Sequence, residues 1–222
     1  MTPPLRIRYQ TIEVGSIDIH LCTLRDRQQF SDPDRVARDL GISSAAWPIF
    51  GVVWPSSIVL AHYMLGYKIE GKRILEIGCG MALSSLLLNE RQANITATDY
   101  HPEVECFLER NTLLNNGQNI AFERVDWADD KSQLGLFDVI IGSDLLYEDQ
   151  HVQLLADFIQ NHARPQCEVI IVDPGRGRKS KLSTRMIGYG FTSSHVQPKD
   201  TGYLEQVFKG YIIEFFRDTF SA

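Results

Sequence analysis

Cysteine is scarce in this chain: its 222 residues include four, Cys22, Cys79, Cys106 and Cys167. No two form a Cys-x-x-Cys pair and none has a histidine at metal-ligand spacing, which argues against a zinc site and against a disulfide scaffold. A reducing, cytoplasmic setting fits that usage. Basic residues are in deficit, with 22 Lys and Arg against 28 Asp and Glu, and the formal net charge of −6 disfavours nucleic acid as a partner. The opening "MTPPLRIRYQ" lacks the apolar core of a signal peptide. Long hydrophobic runs are missing too. The nearest approach, Trp47 to Tyr67, is broken by two prolines, a serine pair and a histidine. The part after Pro55 would make a helix of about 17 Å, against about 30 Å of hydrocarbon, so it is expected to be a core helix and no membrane partner is expected. Repeats and low-complexity tracts are absent as well.

What is present is enough apolar sequence, 44% of residues, for one α/β domain with a sizeable core. Residues 5 to 25 carry two β-like runs around "VGS", which reads as a hairpin, and "SDPDRVARDLG" has the cap, early proline and glycine stop of a short helix. Residues 1–46 are therefore expected to be an appendage to a main domain over 47–222. From Gly71 onward strands at "RILEI", "ITATD", "AFERVD", "FDVIIGSD" and "EVIIVD" alternate with helices around 81–91, 102–115, 149–162 and 178–188. Short continuous apolar strands with intervening helices predict a parallel sheet covered on both faces. "GFTSSHV" and "GYIIEFF" have no helix between them and are expected to form an antiparallel pair at one edge, giving seven strands in all.

In such a sheet, ligands bind beyond the carboxyl ends of the strands where strand order reverses, so the residues just after each strand matter most. After the first comes "EIGCGMAL", with Gly78 and Gly80 where backbone can approach a ligand. The third glycine of a dinucleotide fingerprint is replaced by Leu83. A plain strand-to-helix turn also uses glycine. Asp99 ends the second strand about 20 residues on, where an acid can accept from ribose hydroxyls; it could equally open the turn "DYHPE". Asp126 and Trp127 follow the third strand, as an adenine-amino acceptor and a purine-stacking ring, or as a loop acid and a half-buried core residue. Asp144 and Tyr147 follow the fourth, three apart and so on one face of any helical turn there. Here a helix cap and a packing residue are the plainer alternative.

"LEIGCG", Asp99, "VDW" and "SDLLY", in that order, together resemble the seven-strand S-adenosylmethionine-dependent methyltransferases, and within them methyltransferase family 16, whose members modify protein side chains, mostly lysine. A tryptophan-containing segment ahead of the first strand, here "VVWPSSIVLAHYM", is also typical. The resemblance covers about Trp47 to Ile159. It implies a Rossmann-like doubly wound sheet, S-adenosyl-L-methionine as cofactor with S-adenosyl-L-homocysteine as product, and a protein substrate, with a small-molecule acceptor or a non-catalytic cofactor-binding protein as alternatives. It assigns Glu76, Gly78 and Gly80 to the methionine end of the cofactor, Asp99 to its ribose, Asp126 and Trp127 to its adenine, Trp54 to its vicinity and Ser143 to its amino-acid end. Asp144 and Tyr147 would face the acceptor amine. Departures are Ala82, where many relatives carry glycine, and the basic turn "DPGRGRKSK", where Arg176 could select an acidic substrate surface or belong to a solvated face. Neither the acceptor nor the oligomeric state is legible.

Overall fold

The short apolar runs pair into one sheet in the computed structural model, which describes residues 5–129, 132–146 and 149–218. An N-terminal hairpin comes first: β1 (Ile7–Val14) and β2 (Ile17–Leu24) pair antiparallel across a two-residue turn whose Gly15 has φ 63°. Positive φ at the first turn residue matches the strand twist, which is why glycine stands there. A short helix α1 (Val36–Asp39) and a 3-10 turn (Trp47–Ile49) lead into α2 (Pro55–Leu65), which starts on its proline. Among the described residues, no helix is long and apolar enough to cross a membrane.

The main sheet comprises β3 (Arg73–Ile77), β4 (Asn94–Asp99), β5 (Ala121–Arg124), β6 (Phe137–Ser143), β7 (Ala163–Asp173), β8 (Thr192–Val196) and β9 (Tyr211–Arg217), in the spatial order β5-β4-β3-β6-β7-β9-β8. The first five are parallel and β9 and β8 close the edge antiparallel, as expected. Helices α3 (Leu83–Glu90), α4 (Val104–Leu114), α5 (Asp149–His162) and α6 (Lys179–Gly188) connect them. Strand order reverses between β3 and β6.

The two-residue period of the strands divides the core. Ile74, Val139, Ile141, Ile170 and Val172 face a layer with Leu60, Met64, Leu86, Leu87 and Phe107 of α2, α3 and α4. Leu75, Ile77, Ile140, Val169 and Ile171 face Leu155, Ile159, Leu182 and Met186 of α5 and α6. The hairpin joins the first layer through Ile19, Leu21 and Leu24. The free edge of β2 is held by amides at the carboxyl end of α4, one in its last turn and one on the capping residue: Asn111 accepts from the Cys22 N–H at 2.7 Å, and Asn115 both accepts from the His20 N–H and donates to its carbonyl at 2.8 Å. Such side-chain bonds satisfy backbone groups that a bare strand edge would expose.

Three boundaries differ from the sequence reading. The third helix starts at Leu83 instead of 81, because Gly78, Gly80 and Ala82 all take positive φ before it. β5 stops at Arg124, and the Val125 N–H makes the last bond of its ladder to the Asp99 carbonyl. β7 begins five residues early, directly after His162, and crosses a register irregularity against Phe137 and Val139.

Candidate active site

The carboxyl ends of β3 and β6 meet at the strand-order reversal and bring together residues remote in sequence. After β3, Gly78 (φ 59°) and Gly80 (φ 51°) form a tight turn in the left-handed region that side chains disfavour. A Cβ on Gly78 would lie 2.6 Å from Leu145 and 4.0 Å from the Trp127 ring, and one on Gly80 would lie 3.2 Å from the Phe50 carbonyl oxygen. Both glycines thus serve close approach as well as turn geometry.

Asp99 pins this turn. Its Oδ2 accepts from the Gly80 N–H at 2.8 Å and its Oδ1 from the His101 N–H at 2.9 Å. Burial pushes the carboxyl above its ordinary value, while amide donors from His101, Gly80 and Tyr100 pull it back. Part of its surface still faces outward. Each oxygen therefore keeps acceptor capacity for a further hydroxyl. Beside it His101 is buried, stacked on Phe50 at 4.0 Å between ring centres and edge-on to Trp47. Its Nδ1 accepts from the Glu103 N–H and its buried Nε2 has no partner.

Glu76 shares the α3 face of β3 with Ile74 and is 2% exposed. Its Oε2 accepts from both the backbone N–H and the hydroxyl of Ser85, in the first turn of α3. The carboxylate thereby satisfies an amide that the helix itself leaves unpaired. Burial pushes Glu76 up to about 7 against those two bonds, with the nearby Asp99 charge adding to the rise. Cys79, inside the turn, is buried, and burial holds its thiol well above the ordinary value, so packing is its role.

The other expected residues divide. Trp127 is half-buried, edge-on to His151 at 6.0 Å, beside the glycine turn. Asp126 is exposed and its Oδ1 accepts from the Ala128 N–H at 2.9 Å, the bond of a loop acid. Trp54 stands on the segment that carries Phe50 over Gly80; its Nε1 donates to the Ile49 carbonyl and the Arg27 guanidinium lies 4.5 Å from its ring centre. Ser143 ends β6, half-buried beside Val172 of β7. Tyr147 lies outside the described residues.

Asp144 follows with φ 56°, a left-handed backbone at a non-glycine residue, and its N–H donates to the Val172 carbonyl at 2.8 Å. It is 5% exposed. Both of its oxygens are engaged by Arg176, from Nε to Oδ1 at 2.6 Å and from Nη2 to Oδ2 at 3.0 Å. That two-pronged geometry matches the guanidinium fork to the carboxylate. Asp173, at the end of β7, braces the same loop: its Oδ2 accepts from the Gly175 and Arg176 N–H groups, its buried Oδ1 has no partner, and burial raises it above its ordinary value.

Three contributors escaped the sequence reading. Leu145 fills the space between Gly78 and Gly142, whose Cβ would come within 2.6 Å of it; the glycine inside "IIGSD" was the available signal, since a strand glycine marks close approach. His101 stands in "DYHPE", which reads as a turn and gives no sign of the ring stack it joins. Arg176 was noted, but its pairing with Asp144 was not, although both follow adjacent strands.

Residues 41–186 match a family described as lysine methyltransferase. A histidine protein methyltransferase 1 homolog of Dictyostelium discoideum is 33% identical over 117 residues, 50% of this chain and 38% of that protein. Protein N-lysine methyltransferase METTL21A of Danio rerio is 28% identical over 121 residues, 51% of this chain and 55% of that protein. Histone-arginine methyltransferase METTL23 of Xenopus laevis is 30% identical over 103 residues, 43% of this chain and 44% of that protein. The chain thus spans about half or less of the length of these relatives. Among solved structures, a methyltransferase from Pyrococcus furiosus superposes with TM-score 0.58 at 21% identity, covering 84% of this chain and 100% of that one, which supports the fold.

Proposed function

The chain belongs to the lysine methyltransferase family, and from that premise we propose that it transfers a methyl group from S-adenosyl-L-methionine to a side-chain nitrogen of a protein, lysine first. The observation that carries the proposal is the glycine turn pinned to Asp99 at the strand-order reversal, within reach of the buried Asp144 on the next strand.

The residues fit this cofactor. Asp99 is half-buried and its two acceptor oxygens are held rigidly by backbone bonds, suited to a pair of ribose hydroxyls. Glu76 commits one oxygen to Ser85, which leaves the other for an ammonium group at the methionine end. The half-buried Trp127 offers a ring for a purine. When bound, the cofactor supplies an electrophilic methyl on a sulfonium and leaves as S-adenosyl-L-homocysteine.

The chain's own task is alignment, because in-line displacement needs the reacting atoms held about 3–3.5 Å apart. A lysine acceptor must also arrive neutral, which costs about 4.6 kcal/mol at pH 7 from a pKa near 10.4. In the resting site the pairing with Arg176 compensates the buried Asp144 charge. Asp144 orients the acceptor nitrogen by hydrogen bonding once it arrives, and the proton passes to water. Tyr147 is assigned beside the amine and the sulfonium, on its spacing from Asp144.

Incubation with radiolabelled S-adenosyl-L-methionine and an extract of the source cell, fractionated by size, tests the function. Label in a discrete protein band is expected. Label confined to small molecules refutes the protein substrate, and tight cofactor binding without labelled product refutes turnover. Asp144→Ala and Tyr147→Phe are expected to lose transfer while binding cofactor normally; full activity in both would remove them from the site.

A further inference from the structure

Although the chain carries a net charge of −6, residues 174–199 contain six lysines and arginines and no acid. Four of those cations, Arg176, Arg178, Lys179 and Lys181, fall within the turn after β7 and the first turn of α6, at the carboxyl edge of the sheet and next to Asp144. A basic first turn opposes the helix dipole, so this placement is unfavourable for the helix alone. The loop is anchored at the site from two sides: Arg176 grips Asp144, and an Arg178 Nη donates to the Leu146 carbonyl two residues further on. Lys181 is exposed, and the Arg176 side chain keeps 34% of its surface in solvent while its partner is almost wholly buried.

We propose that this loop docks an acidic segment of the substrate protein beside the methyl-accepting side chain, and that a substrate carboxylate draws Arg176 away from Asp144 as it docks. Charge complementarity selects the partner: an acidic protein repels acidic ligands everywhere except where its cations are concentrated. The exchange matters because Asp144 has both oxygens committed to Arg176. An acceptor flanked by acids would supply Arg176 with a replacement partner and gain Asp144 for its own nitrogen, whereas an acceptor without them meets an occupied carboxylate. The inference rests on the protein-substrate reading above and narrows it to acceptors with acidic neighbours.

The test uses the full chain and fluorescently labelled poly-L-glutamate, with poly-L-lysine as comparator. Poly-L-glutamate is expected to bind in 50 mM salt and to weaken steeply as added salt shortens the screening length. Lys181→Glu should reduce its affinity about fivefold relative to Lys68→Glu, which makes the same change in net charge at the opposite, amino-terminal end of the sheet. Folding is not at risk in the first variant, since an acid suits the first turn of a helix. Asp144→Asn, which loosens Arg176, should tighten poly-L-glutamate binding. Equal binding by the two lysine variants, or a preference for poly-L-lysine, overturns the docking surface, and unchanged affinity in Asp144→Asn overturns the exchange. In the extract assay Lys181→Glu should lose protein label with cofactor affinity intact. If the parent labels no protein, the proposed function fails while the polymer measurements still decide the docking surface.

Discussion

Two buried groups near the glycine turn titrate in opposite senses, and their opposition should be measurable. Glu76 is 2% exposed and burial lifts its carboxyl from 4.5 to about 7. His101 is 6% exposed and burial lowers its imidazole from 6.5 to about 4, with the Asp32 charge pulling weakly the other way. Between pH 4.5 and about 7 the folded chain keeps a proton on Glu76 that the unfolded chain has released, so this group's contribution to stability is full at low pH and is lost as pH rises. Between 6.5 and about 4 the unfolded chain protonates His101 while the folded chain refuses, so that contribution is full at higher pH and is lost as pH falls. Each displacement corresponds to about 3 kcal/mol. Over the shared window the two slopes cancel. Glu76→Gln keeps an acceptor oxygen for Ser85 but no longer ionises, and relative to the parent its stability should climb by about 3 kcal/mol between pH 4.5 and about 7. In His101→Asn the amide oxygen can replace Nδ1 as acceptor for the Glu103 N–H, and stability relative to the parent should instead fall by a similar amount between about pH 4 and 6.5. Urea unfolding followed by tryptophan fluorescence at a series of pH values gives these curves by linear extrapolation, and other carboxylates cancel when variant and parent are compared. Variant curves running parallel to the parent's would refute the assigned titrations.

Further expectations concern the cofactor side. Gly80→Ala puts a side chain at φ 51° and 3.2 Å from the Phe50 carbonyl oxygen; it should cost about 1–2 kcal/mol in unfolding free energy and cut S-adenosyl-L-methionine affinity in calorimetry. Trp127→Ala removes a half-buried ring packed against the core, so the melting temperature should fall, and cofactor binding should weaken by about 1–3 kcal/mol; unchanged binding would remove the stacking role. Ser85→Ala removes the hydroxyl donor to the buried Glu76 oxygen and leaves the backbone N–H bond in place. It should destabilise the chain by about 1 kcal/mol and drive the Glu76 titration above 7, visible as a later stability loss in the same pH series.

The sheet was legible because the strands carry their own evidence. Ile74, Leu75 and Ile77 are apolar toward both faces, which only a strand covered on both sides requires. The glycine turn and Asp99 were legible for a related reason: parallel neighbours place the ends of β3 and β4 side by side, so a spacing of about 20 residues translates directly into proximity. The extra length of β7 was not legible, since "ARPQC" has neither alternation nor an apolar run and is strand only through pairing. Nor was the backbone of Asp144, because a non-glycine residue at positive φ has no signature in composition. It is held there by its own N–H bond to Val172, a tertiary fact.

The acceptor side is harder to read than the cofactor side because its residues belong to different strands. The cofactor side needs one strand, one turn and the next strand along the chain. The acceptor side needs Asp144 from the end of β6 and Arg176 from the end of β7, with α5 lying between them in sequence. Taken alone, Asp144 is a carboxylate available to an amine, and Arg176 is a solvated cation. Their pairing changes both: a nearly buried acid with its oxygens already held can receive a nucleophile only as an additional partner or by exchange. Exchange is favoured energetically when the displaced guanidinium finds another carboxylate, because Arg176 is part-exposed whereas Asp144 is not, so the cost of leaving the buried charge unpaired falls on the site and must be met by the acceptor itself. An acceptor with a hydrogen-bonding nitrogen and an acidic neighbour meets both needs in one docking event, which ties the choice of substrate to the chemistry at Asp144.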